Sequence, residues 1–189
     1  ETDLLSRPEV DKSKAIGMTG TSGGGTQTTF LMALDDRIGP AAPSCYTMQR
    51  TDKFLGQSGP ADGCQHLASE GLHGIDHIDY TLMRLPRPTN ILAATRDFFE
   101  IESTRETILD AKAVISTMGN HKQFSYYECD AKHGMHIGHR QEATRWMLQW
   151  LYNDPFSVTE PKKIQLFTDD ELQVTNSGLV FIEFYNEKD

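Results

Sequence analysis

The run Ala15-Ile16-Gly17-Met18-Thr19-Gly20-Thr21-Ser22-Gly23-Gly24-Gly25-Thr26 constrains this chain more than any other stretch. An apolar segment leads into Gly20-x-Ser22-x-Gly24, and a helix-compatible segment follows. That order is the pattern of a nucleophile elbow, a sharp strand-to-helix turn that holds a serine hydroxyl above the end of a parallel sheet. So tight a turn brings backbone against backbone and forces the serine into a strained conformation, so its neighbours cannot carry bulky side chains. The pattern therefore demands more of the chain: an acid and then a histidine, each just past a later strand.

The rest of the sequence reads as the scaffold for such a site. Strands are predicted over 14–18, 41–47, 89–95 and 124–129, and helices over 24–34, 103–118 and 141–152. Ile108, Leu109, Ala111, Val114 and Ile115 recur at helical spacing, and so do Ala143, Trp146, Met147, Trp150 and Leu151. Residues 50–85 are punctuated by glycines and read as loops with one or two short helices. The alternation predicts an α/β fold, a parallel sheet flanked by helices, over residues 1–154. Residues 155–189 differ in character. Apolar runs at 163–167 and 179–185, around the turn-prone Thr175-Asn176-Ser177-Gly178, predict a small β extension.

A serine hydroxyl is a weak nucleophile at neutral pH and needs a base to take its proton and a third group to orient that base. Ser22, Asp97 and His133 meet the need in the chain order Ser, acid, His that the elbow requires. Each stands just past a predicted strand, the edge where open parallel sheets place their sites. The backbone N–H of Gly23 is the predicted oxyanion donor. Glu100 and Glu102 compete with Asp97 for the acid, and His136 and His139 compete with His133 for the base.

Other chemistry fits less well. His133-x-x-His136-x-x-His139 has metal-like spacing, but it lacks a general-base Glu, and positions three apart drift around a helix. His73, Asp76, His77 and Asp79 are interrupted by Gly74 and read as a loop lining a pocket. Neither cluster is read as a metal site, and no cofactor is expected. No lysine follows Gly24 or Gly25 as a phosphate loop needs, and the spacing of Gly17, Gly20 and Gly23 is not that of a dinucleotide fingerprint. The net charge of −9 provides no basic stripe for nucleic acid or an anionic membrane surface. No apolar run approaches the ~18 residues of a membrane-spanning helix. Cys45, Cys64 and Cys129 form no metal or disulfide-dense pattern; three buried thiols are expected, with one bridge plus a free thiol as the alternative.

Several longer stretches carry a family resemblance. Gly17 to Thr28 resembles the elbow of α/β-hydrolases of the acetylxylan esterase-like carbohydrate esterase family. So do Arg87-Pro88-Thr89-x-Ile91-Leu92-Ala93-Ala94-Thr95-x-Asp97-Phe98-Phe99 and Asp130-x-Lys132-His133-Gly134. Phe167 to Gly178 resembles the segment that follows the hydrolase domain in that family. The resemblance implies a serine hydrolase that deacetylates plant polysaccharide or oligosaccharide, with Ser22, Asp97 and His133 as its triad. It implies a secreted or periplasmic setting if the substrate is a polysaccharide. It also implies strands ahead of the elbow strand and a loop giving a second oxyanion N–H, which the residues before Lys14 are too few to supply. The expected partners are therefore a small ester substrate and a missing N-terminal segment or second chain that completes the sheet. A prolyl-oligopeptidase-type serine peptidase shares the elbow, and a non-catalytic fragment is the alternative of a different class.

Overall fold

The computed structural model describes residues 2–55, 65–119, 121–154 and 156–184. After a one-turn helix α1 (Thr2–Ser6), the elbow strand β1 (Ile16–Thr21) runs into α2 (Gly23–Leu34) and then β2 (Ile38–Ser44). Two short helices follow, α3 (Arg50–Leu55) and α4 (Asp79–Met83), with a 3-10 turn at Gly71–His73 between them. Then come β3 (Thr89–Arg96), α5 (Ile101–Thr117), β4 (Phe124–Lys132) and α6 (Ile137–Tyr152).

The strands pair in the order β1-β2-β3-β4, and every pairing is parallel. Parallel strands need a crossover between them, and helices or the long segment 45–88 supply it each time. Strand periodicity sorts the core into two faces. Ala41 and Ile91 turn toward α2, α4 and α5, where Met32, Ile108, Ala111 and Ile115 cover them. The next residues, Ala42 and Leu92, turn to the opposite face and pack on Ala143 and Trp146 of α6. The sheet is thus a middle layer between helices, and β2 and β3 are buried on both faces.

Arg84 joins the layers at the sheet's amino end. Its side chain is fully buried. It donates to the carbonyls of Met32, Ile38, Gly39, Arg87 and Pro88 and to the Thr89 hydroxyl, tying the end of α2 to the starts of β2 and β3. Burial, helped by the Arg87 charge, pulls the guanidinium down to about 10, so it stays charged at neutral pH. Glu70 plays a similar part in the segment before it. It accepts from Arg50 Nη1 at 2.9 Å, from the Leu67 N–H at 2.9 Å and from the Tyr80 hydroxyl. Burial alone would raise the Glu70 carboxyl, but these donors hold it below the usual range.

The predicted C-terminal β extension is not found. Among the described residues, 156–184 hold no strand, only the one-turn helices α7 (Asp169–Leu172) and α8 (Val180–Phe184) in an exposed chain. The local signals favour helix once no ladder partner is present. Thr168 and Glu171 form a reciprocal capping box that starts α7, and a lone strand leaves its backbone groups unpaired. Arg140 of α6 grips Glu160 with two bonds of 2.6 and 2.7 Å and holds the start of this tail. Cys45 is a buried free thiol and Cys129 a half-buried one, so the expectation of three buried thiols holds only for Cys45; Cys64 lies outside the described residues.

Replacing Arg84 by Met should remove every one of its bonds while keeping most of the volume. Unsatisfied buried acceptors cost about 1–3 kcal/mol apiece, so a loss of at least 3 kcal/mol is expected from urea unfolding midpoints. Arg84→Lys should recover only part of it.

Candidate active site

Each strand ends at the site, and the residue that follows each strand belongs to it. Ser22 follows β1, Cys45 follows β2, Asp97 follows β3 and His133 follows β4. Parallel strands carry their carboxyl ends to one edge, so four residues far apart in sequence meet there.

The elbow is built by close approach. Ser22 has φ 60° and ψ −120°, a conformation that L-residues seldom adopt. Bonds on both sides hold it: its N–H donates to Ser44 O at 3.0 Å, and its carbonyl accepts from the Thr26 N–H at 2.8 Å. A Cβ on Gly20 would stand 2.5 Å from the Gly24 carbonyl oxygen, and one on Gly25 would stand 2.4 Å from Ser44 O. Gly24 is different, since a Cβ there meets nothing within 4 Å. The second sterically required glycine is therefore Gly25, one residue later than the Gly-x-Ser-x-Gly pattern suggests. Gly23 opens α2, so its N–H has no intrahelical partner and lies at the helix's positive end.

Asp97 and His133 meet directly. His133 Nδ1 lies 2.8 Å from Asp97 Oδ1 and 3.0 Å from Oδ2. The Asp97 side chain is 2% exposed and that of His133 23%, so the pair is shielded on the acid side and open on the base side. The Phe99 N–H donates to Asp97 Oδ1 at 3.1 Å, and the Phe98 ring stacks on the imidazole at 4.1 Å between centroids. Of the competing acids, Glu102 pairs with Arg105, and Glu100 stands at the N-cap position of α5 with no side-chain capping bond; the acid that reaches a histidine is Asp97. His136 Nε2 sits against Lys132 O at 2.9 Å. Among the described residues no hydrogen bond joins Ser22 Oγ to His133; such contacts are often long before substrate binds.

The loop after β4 carries His133 back across the sheet edge. Cys45 Sγ lies 3.8 Å from Gly134 O, over β2, and Thr21 Oγ1 donates to Met135 Sδ at 3.0 Å, over β1. Buried His139 braces this loop, with Nδ1 3.0 Å from Gly134 O and Nε2 2.9 Å from Ala93 O of β3. It thus links the acid-bearing strand to the base-bearing loop. Cys45 is the part no motif announces, and His139, a rival for the base in the sequence, is a brace in the fold. Cys45 itself has φ 51°, and its thiol is pushed up to about 11 by burial, the Asp97 charge acting the same way.

The second cluster does not converge. Asp76 accepts from the backbone N–H groups of Arg50 and His77, Asp79 accepts from the Asp76 N–H, and the His77 ring stacks on Tyr46. The bonds among Asp76, His77 and Asp79 form a local turn, while the Arg50–Asp76 bond and the Tyr46–His77 stack tie that turn to the segment after β2. Burial holds the His77 imidazole well below its ordinary range, hence neutral. Among the described residues, the one trio of His, Cys and acid side chains whose donor atoms converge is Cys45, Asp97 and His133.

No family model matches this sequence, and no curated protein does. Solved structures match by shape. A carbohydrate esterase family 15 glucuronoyl esterase from Caldicellulosiruptor kristjansonii superposes with a TM-score of 0.64 at 16% identity, over 85% of this chain and 49% of that one. A glucuronoyl esterase from Sporotrichum thermophile gives 0.60 at 17% identity, over 76% and 45% of the two chains. The Pyrococcus furiosus esterase Pf2001 gives 0.51 at 19% identity, over 78% and 58%. This chain therefore has an α/β-hydrolase-type fold, and it spans about half the length of the structures it matches.

Steric need separates the elbow glycines. Gly20→Ala and Gly25→Ala should each lower stability by about 1–3 kcal/mol through overpacking. Gly24→Ala, inside a helix and facing open space, should leave the melting temperature unchanged or raise it. Thermal melts of the three variants check the order.

Proposed function

We propose that this chain carries the catalytic edge of a serine hydrolase that cleaves carboxylic esters of carbohydrates through an acyl-enzyme. The observation that carries the reading is the shielded Asp97–His133 pair at the same sheet edge as the strained elbow serine. Asp97 holds Nδ1–H, which leaves Nε2 free to take the Ser22 proton as Oγ attacks the ester carbonyl. The Gly23 N–H donates to the oxyanion; one such donor is typically worth about 3–4 kcal/mol. His133 then returns the proton to the departing alcohol, and water, activated by the same imidazole, releases the acid.

The substrate class rests on two supports of different kinds: the motif resemblance to acetylxylan esterase-like enzymes, and fold neighbours named as glucuronoyl esterases. In an acetyl ester the sugar is the leaving alcohol, whereas in a glucuronoyl ester it is the acyl group. The acetyl reading is preferred, with residues 50–85 shaping the pocket. β1 is the terminal strand of this sheet. A further segment or second chain would pair with its open edge and bring the second oxyanion donor.

Fluorophosphonate labelling of the longest natural form should modify Ser22, and Ser22→Ala should abolish the adduct. Failure to label would reject catalysis in favour of a non-catalytic fragment. His133→Ala should cut turnover by orders of magnitude because triad members act as a unit, whereas His136→Ala should retain it. In a panel of p-nitrophenyl acetate, acetylated xylan, a methyl glucuronate ester and aminoacyl anilides, acetate release should be fastest. Faster anilide cleavage would instead point to a peptidase.

A further inference from the structure

Cys45 has no place in the reaction above, yet its strand delivers it to the same edge. Its Sγ, a carboxylate oxygen of Asp97 and a ring nitrogen of His133 all lie within 4.8 Å of one another. Two ligands of one tetrahedral zinc ion stand about 3.5 Å apart, from bond lengths near 2.0–2.3 Å. Displacements on the order of 1 Å would therefore close the three around an ion. One thiolate, one imidazole and one carboxylate form a borderline-soft donor set, suited to Zn2+ or Cd2+ rather than to Mg2+ or Ca2+. The three side chains come from three different strand ends, so the site is assembled by the sheet rather than by a local motif. Access lies on the His133 side, the open member of the trio.

We propose that Cys45, Asp97 and His133 form an inhibitory binding site for a borderline-soft divalent cation such as Zn2+. Binding breaks the Cys45 S–H bond and forms a metal–sulfur bond, releasing one proton to solvent. The ion enters between Asp97 and Nδ1, the nitrogen that faces the acid. The Nδ1 proton leaves to solvent and Nε2 takes one up, with no net change on the ring. An imidazole protonated at Nε2 cannot accept the Ser22 proton, so the metal stops the reaction by fixing the wrong tautomer. The inhibitory consequence rests on the serine-hydrolase reading; the binding does not.

Cadmium tests the binding directly, because a cadmium–thiolate bond absorbs in the near ultraviolet. Titrating the full-length natural protein with Cd2+ should develop this band, and Cys45→Ser should lose it although Cys64 and Cys129 remain. An undiminished band in Cys45→Ser overturns the site. X-ray absorption of the Zn2+ complex of the unmodified protein serves if that variant fails to fold. A first shell with one sulfur is expected, and a shell of nitrogen and oxygen alone overturns the proposal. In the activity arm, Zn2+ should inhibit ester hydrolysis and a chelator should restore it. Compared with its own metal-free rate, Cys45→Ser should need at least tenfold more Zn2+ for half inhibition, and equal sensitivity also overturns the proposal. If Ser22 proves unreactive, the cadmium band still stands, so the two readings fail separately.

Discussion

The close crossing of β1 and α2 is the constraint from which the site follows. With hydrogen in place of Cβ at Gly20 and Gly25, the strand end and the first helical turn approach to distances that no side chain would permit. Ser22 is the residue caught in that crossing, held in dihedrals that L-residues seldom adopt. The Ser44 carbonyl, which bonds the Ser22 N–H, is also the atom that a Gly25 side chain would strike. The elbow is therefore braced against β2 and not only within its own turn, and β2 in turn bonds to β3 through the Cys45 N–H and the Leu92 carbonyl. Strain at one residue is held by a ladder that runs into the sheet.

That ladder also explains how residues from opposite ends of the sheet meet. β1 and β4 are the two outer strands, yet the loop leaving β4 returns over β3, β2 and β1 in succession, touching Asp97, Cys45 and Thr21. The register of β3 against β4 shifts between Ala94 and Arg96, just before Asp97. Such irregularities re-aim side chains at strand ends. His139 then fixes the loop from beneath through Gly134 O and Ala93 O. Asp97 and His133 thus share a support that lies outside the pair itself.

The strand-end positions of Ser22, Asp97 and His133 are legible in the sequence because strand ends can be read from apolar runs and the breakers after them, and the elbow pattern supplies the order in which to look for an acid and a histidine. Cys45 is not legible for the opposite reason. It lies inside an apolar run that reads as strand through Thr47, and only the pairing of Thr21 with Ser44 shows that the strand ends at Ser44. Gly24 and Gly25 are indistinguishable by pattern, since their roles depend on which face of α2 meets Ser44. The tail shows how far local propensity reaches. Its apolar run at 179–185 has strand-forming residues, but strand depends on a partner, and among the described residues the tail pairs with none. His139 is visible in the sequence as a rival base and by its spacing from His133 and His136, but its place between two main-chain carbonyls leaves no trace there.

The anchor at the other end of the sheet distributes mutational risk unevenly. Five of the six acceptors around Arg84 are main-chain carbonyls, which exist whatever side chain the position carries. Met32, Ile38, Arg87 and Pro88 can therefore change identity without removing an acceptor, whereas one change at position 84 removes every bond together. Sequence drift around this joint can be wide while the joint persists. The amino edge of the sheet then hangs on a single codon, and the carboxyl edge, where the candidate site lies, is free to diversify above it.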